Sequence, residues 1–181
     1  MSSLGTFHRV RVVSGFVLCL SLAGCLKPVP RVAIPAADSS PPTLTWQLHN
    51  VQTKERREIV QDGQTFDVPS TEQYVVTLAV EDLNSGVKEV TLSGNVRYTC
   101  EKGGQVEAKK YDLDRQVQTA APDQDNKVPI QAALVYSVEL NKHGCNEYWT
   151  FGGGTISLVG KGQNFVNGAQ TKTLRLNLKR P

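Results

Sequence analysis

From Val87 to Cys100 the chain alternates apolar and polar side chains. Val90, Leu92, Val96, Tyr98 and Cys100 share one parity, and Glu89, Thr91, Asn95, Arg97 and Thr99 the other. A two-residue period scatters apolar groups around a helix, but in an extended chain it places them all on one face. The same period returns in Val76, Leu78 and Val80 against Thr77 and Ala79, and in Leu174, Leu176 and Leu178 against Thr173, Arg175 and Asn177. Turn chemistry punctuates these runs at Gln61-Asp62-Gly63, Leu83-Asn84-Ser85-Gly86, Lys102-Gly103-Gly104 and Lys161-Gly162. The spacing predicts seven to nine short strands and no long helix. One sheet would leave its apolar face wet, so the expected fold is all-β: two packed antiparallel sheets, a β-sandwich.

The first 24 residues follow a different logic. His8, Arg9 and Arg11 form a basic head, no acidic residue occurs in this stretch, and Val12 to Ala23 is apolar or small throughout. That run falls short of the roughly 20 residues needed to span a bilayer. Pro28 and Pro30 follow too closely for the run to lengthen as a helix. It closes on Leu22-Ala23-Gly24-Cys25, an aliphatic residue, two small ones and a cysteine.

This segment resembles the signal peptide of bacterial lipoproteins. The resemblance implies transfer of a diacylglyceryl group to the Cys25 sulfur, cleavage after Gly24 and acylation of the new amino group. Cys19 is the rival position, but Phe16, Val17 and Leu18 before it are too bulky for such a box. Leu26 and Lys27 carry no Asp, so the resemblance implies sorting to the outer membrane in a Gram-negative host. Two or three acyl chains anchor a protein stably where one holds it only marginally.

The expected organisation is a signal peptide at 1–24, a lipidated N-terminus with a Pro-rich linker at 25–42, and a sandwich at 43–181. Five of the nine prolines fall in Leu26–Pro42, which reads as an extended tether reaching up to roughly 50 Å. A leader with no length requirement is the alternative. The full chain holds 20 Lys+Arg and 17 Asp+Glu, and loss of Arg9 and Arg11 with the signal leaves the two nearly balanced. Such a balance gives no support to nucleic-acid binding.

Val80-Glu81-Asp82-Leu83-Asn84-Ser85-Gly86-Val87-Lys88-Glu89-Val90 resembles the strand–turn–strand of bacterial immunoglobulin-like modules. The resemblance spans Tyr74 to Tyr98 and implies an immunoglobulin-like sandwich in preference to a barrel. Beyond Cys19 and Cys25, only Cys100 and Cys145 remain. An oxidising compartment favours their disulfide, which closes a long loop at a gain of roughly 3–4 kcal/mol in the chain-entropy model. Metal ligation is the alternative; it needs two more ligands, and only His143 lies near.

Catalytic patterns are missing from the chain. His49, assigned to an edge strand, and His143, in a turn, lie far apart, and neither a Gly-x-Ser-x-Gly elbow nor a His-Glu-x-x-His pair occurs. Gly154–Gly162 departs from a phosphate loop in spacing, with Gly162 where Ser or Thr is required. Glu81, Asp82 and Asn84 are either oxygen ligands for Ca²⁺ or turn residues spending their oxygens on the local backbone. Tyr148, Trp149 and Phe151 are either an aromatic platform or core packing beside the disulfide. No catalytic residue, cofactor or metal is therefore assigned. The favoured expectation is a non-enzymatic envelope lipoprotein, membrane-bound through its lipid, whose sandwich binds a protein partner. A carbohydrate- or peptidoglycan-binding module and an enzyme with a scattered site are the alternatives.

Overall fold

A computed structural model describes residues 28–59, 61–138, 145 and 148–180. Its described residues contain eleven strands and no helix. They are β1 (Arg31–Ala33), β2 (Thr43–Asn50), β3 (Arg56–Ile59), β4 (Gln64–Pro69), β5 (Tyr74–Glu81), β6 (Val87–Lys102), β7 (Gln105–Thr119), β8 (Lys127–Pro129), β9 (Gln131–Val138), β10 (Thr150–Asn164) and β11 (Ala169–Lys179). One sheet has the order β4-β11-β10-β6-β7, the other β3-β2-β5-β9, and β1 and β8 form a separate two-stranded ribbon. The orders β2-β5-β9 and β11-β10-β6-β7 match the A-B-E and G-F-C-C′ sheets of immunoglobulin domains.

The alternation read from the sequence becomes the core. Even-numbered side chains of β2 and β5, with Leu44, Trp46, Leu48, Val76, Leu78 and Val80 buried, face Val90, Leu92 and Val96 of β6. Ile156 and Leu158 of β10 and Leu174, Leu176 and Leu178 of β11 complete the layer. Burying a Val or Leu side chain contributes about 1.5–3 kcal/mol, so this layer drives the packing of the two sheets.

Four expectations are corrected. The eleven strands exceed the seven to nine expected, because β1, β3 and β8 are only three or four residues long and too short to display a period. The sandwich is not wholly antiparallel: the chain crosses from β3 in one sheet to β4 in the other, and β4 runs parallel to β11. Lys161-Gly162 is no turn but lies inside β10, where Gly160 and Gly162 face the core. A Cβ on Gly160 would stand 2.9 Å from the Trp46 ring and 2.7 Å from Leu78, so glycine there is room for the indole. His49 lies on β2, which is flanked by β3 and β5 and is not an edge.

The presumed tether is also part of the fold from residue 30 onward. Ile130 N–H donates to the Pro30 carbonyl at 3.1 Å, and β1 pairs antiparallel with β8 from Arg31↔Pro129 to Ala33↔Lys127. Extended backbone rich in Pro and β-branched residues suits an added edge strand, which needs hydrogen bonds on one side only.

Candidate partner-binding surfaces

The two ends of the sandwich differ in chemistry. At one end, the 16-residue β6 and 15-residue β7 are joined by Gly103-Gly104. Both glycines have positive φ, 54° and 84°, as a two-residue primed hairpin turn requires. Cys100 of β6 is 1 % exposed and forms a disulfide with Cys145, their Cα atoms 5.6 Å apart. The bridge ties the loop before β10 to the base of the hairpin tip. Arg180 pairs with Glu101 at the same end.

The three aromatics near this bridge part company. Phe151 is partly buried against the core and stacks on Tyr98 with centroids 6.2 Å apart, and Tyr98 meets Tyr111 edge-on at 6.4 Å. Tyr148 stands 82 % exposed, with the Lys102 ammonium 5.3 Å above its ring. Trp149 is half-buried. The phenols on the core side are held neutral: burial raises Tyr111 and Tyr136, with the Tyr136 and Tyr98 hydroxyls adding to the effect on Tyr111. Tyr74, pushed up to about 12 mainly by burial, donates to Glu72 at 2.5 Å, as does Asn50.

β7 is the longest strand at an open edge. It pairs with β6 from Glu89↔Thr119 to Lys102↔Gln105, and no strand joins its other side among the described residues. Outward backbone N–H and C=O groups along it are a template for another strand. Val106 and Val117 on this strand are 64 % and 49 % exposed. Charges interrupt them: Lys109 pairs with Glu107, and Lys110 lies 3.8 Å from Asp112.

The opposite end is a polar knot. Asp82, only 6 % exposed, accepts from Ser85 N–H at 2.7 Å, Ser85 hydroxyl at 3.1 Å and Asn84 N–H at 3.1 Å through Oδ1. Its Oδ2 accepts from Asn164 Nδ2 at 3.1 Å, and that amide also reaches the Ser40 carbonyl. Asn84 thus contributes its backbone, while the Glu81 carboxylate accepts from Gln131 Nε2 at 2.6 Å on the sheet surface. Asp82 thus gives Oδ1 to its own turn, as turn carboxylates do, and Oδ2 to Asn164 at the end of β10.

This knot also fastens the N-terminal segment. Asp38 accepts from Ser40 N–H at 2.8 Å and from the Ser85 hydroxyl at 2.9 Å, and the two bonds hold its carboxyl below the ordinary carboxylate value. Arg31 pairs with Asp123 at 2.8 Å and donates to the Lys127 carbonyl at 2.8 Å. Asp123 is lowered first by the Lys127 backbone N–H and then by the Arg31 charge.

The outer faces of the sheets contrast. The five-stranded sheet presents a depression of about 690 Å³ lined by Asn95, Arg97, Thr155, Ser157, Arg175 and Asn177. Outward positions of β2, β5 and β9 are instead Thr, Ala, Val, Gln and Ser, with Glu81 and His49 their titratable groups, while the bordering β3 adds Arg56 and Glu58 opposite His49 and Gln47. Val29 rims a depression of about 450 Å³ on this face, beside Thr45, Gln47, Ala79 and Ala133.

Cys25 and His143 lie outside the described residues. Sequence reasoning found the disulfide but missed the β7 edge and the docking of residues 30–40. The Asp38-Ser39-Ser40 run, a local Asx-turn pattern, was the available signal for the latter. No protein-family model matches the chain, and no curated protein matches it.

Proposed function

We propose that this protein is a lipid-anchored component of a bacterial cell envelope whose sandwich is a non-enzymatic module for a protein partner. Cys25 carries the lipid, which binds the chain to the membrane, the outer one in a Gram-negative host. The observation that supports a protein partner best is the free edge of β7. Its 15 residues offer main-chain donors and acceptors at the strand period, with Val106 and Val117 exposed beside them. Strand addition to such an edge takes affinity from backbone hydrogen bonds and selectivity from alternate side chains. The disulfide supports the same reading, because it braces the ribbon that presents the edge.

The test is photocrosslinking in cells from a probe at Val106 or Val117, with a probe at Thr77 as control. A specific protein captured from the β7 positions alone is the expected result. Recovery of no specific protein, together with glycans retained by the purified protein, would replace this reading by glycan binding. That second reading draws on the polar depression of the five-stranded sheet, where Ser157, Thr155, Asn95 and Asn177 flank Arg97 and Arg175.

A further inference from the structure

We infer that the outer face of the four-stranded sheet lies against the lipid bilayer, held there by a leash too short to let the molecule turn over. The inference rests on the lipid-anchor reading of Cys25 and adds which surface meets the membrane. The docked segment carries it. Because Pro30 and β1 are hydrogen-bonded to Ile130 and β8, the segment docked on the sandwich starts immediately after Val29. Only three residues separate Val29 from Cys25, and the four steps between their Cα atoms reach at most ~14 Å when fully extended.

The starting point of that reach selects the face. Val29, 51 % exposed, stands at the rim of the depression bordered by Thr45, Ala79 and Ala133, so the leash departs from the outer surface of the four-stranded sheet. The other outer face lies beyond the packed core, about 10 Å from sheet to sheet, and around an edge. An acyl group on Cys25 in the bilayer leaves its backbone at headgroup depth and brings Val29, with the part of the β2-β5-β9 face it borders, within the same ~14 Å.

Chemistry agrees with geometry. The outward positions of β2, β5 and β9 include one carboxylate, Glu81, already bonded to Gln131, and their exposed Val135 is apolar; the face's other charges, Glu58 and Arg56, lie on its β3 border opposite Gln47 and His49. The middle of such a face, away from its β3 border, reaches headgroup depth with little bound water displaced from charges. Arg97 and Arg175 of the other sheet stay in the aqueous phase, as does the far side of the molecule.

Single fluorophores on the full, membrane-extracted protein test this, in phosphatidylcholine vesicles carrying a headgroup-located quencher lipid. Val135→Cys labels the four-stranded face and Val159→Cys the five-stranded one; both valines are exposed, and neither change touches the core. Several-fold stronger quenching at position 135 than at 159 is expected. Equal quenching, or the reverse order, on protein whose mass includes the acyl chains overturns the inference and leaves the anchor reading standing. A chain lacking acyl mass removes both. A Gly/Ser spacer of about ten residues inserted between Lys27 and Pro28 is expected to abolish the difference. A difference that survives the spacer overturns the leash account.

Discussion

Gly160 shows how one residue sets the tolerance of this core. Its missing side chain makes room for Trp46 and Leu78, both fully buried, and a Cβ there would come within 2.7–2.9 Å of them. Interiors are close-packed, so the neighbours have little space into which to yield. Gly160→Ala is expected to destabilise the domain by about 1–3 kcal/mol in a denaturant titration. Ser157→Ala, on the outer face of the same strand, should stay within about 0.5 kcal/mol. Equal stability of the two variants would refute the role given to Gly160. The same residue explains a misreading. Along the sequence Gly160-Lys161-Gly162 has the composition of a turn, and only the opposing sheet reveals why the glycines are there: Gly160 faces the Trp46 indole and Leu78, and Gly162 faces Val80 and Leu44.

Among the elements, β5 and β11 were legible in advance because buried and outward side chains alternate along them; β6 was legible through Val90, Leu92 and Val96, although Thr91 is buried as well and its pairing with β7 shifts between Leu92 and Gly94. β1 was not: its partners Lys127–Pro129 lie almost a hundred residues away, and three residues are too few for a period. Its attachment is sensitive to acid. Asp38 and Asp123, which fasten it, have folded-state pKa values below the ordinary carboxylate value. Each therefore contributes stability above its unfolded pKa, and that contribution is lost as pH falls through the lowered folded value. The docking of residues 30–40 is thus expected to weaken as pH falls below about 4 and through those lowered values. Hydrogen exchange at the Ile130 amide, bonded to the Pro30 carbonyl, reports this. Protection there that is as high at about pH 3 as at neutrality would contradict the assignment.

The whole molecule is read as an anchored unit with two unlike ends and two unlike faces. An all-β sandwich was deducible because period-two alternation leaves few other ways to bury one face of each strand. The candidate surfaces were not deducible. An open edge is defined by which strand fails to arrive, and the sequence of β7 resembles that of any exposed strand. At this scale the anchor has its own test. Intact-mass measurement of membrane-extracted protein should find a chain starting at Cys25 with added acyl mass. Cys25→Ala should accumulate as unprocessed precursor, while Cys19→Ala matures normally. An unmodified chain that retains residues 1–24 would sink the anchor.

The placement of Trp46 gives the molecule an optical reporter. Its indole is wholly enclosed by hydrocarbon, and Nε1 has no hydrogen-bond partner among the described residues. The only other tryptophan, Trp149, is half-buried beside the disulfide. Emission from an unsolvated indole lies to the blue of that from a wetter one. Loss of the blue component therefore marks entry of water between the sheets, whereas a change confined to the red component marks the loop that Cys145 ties down.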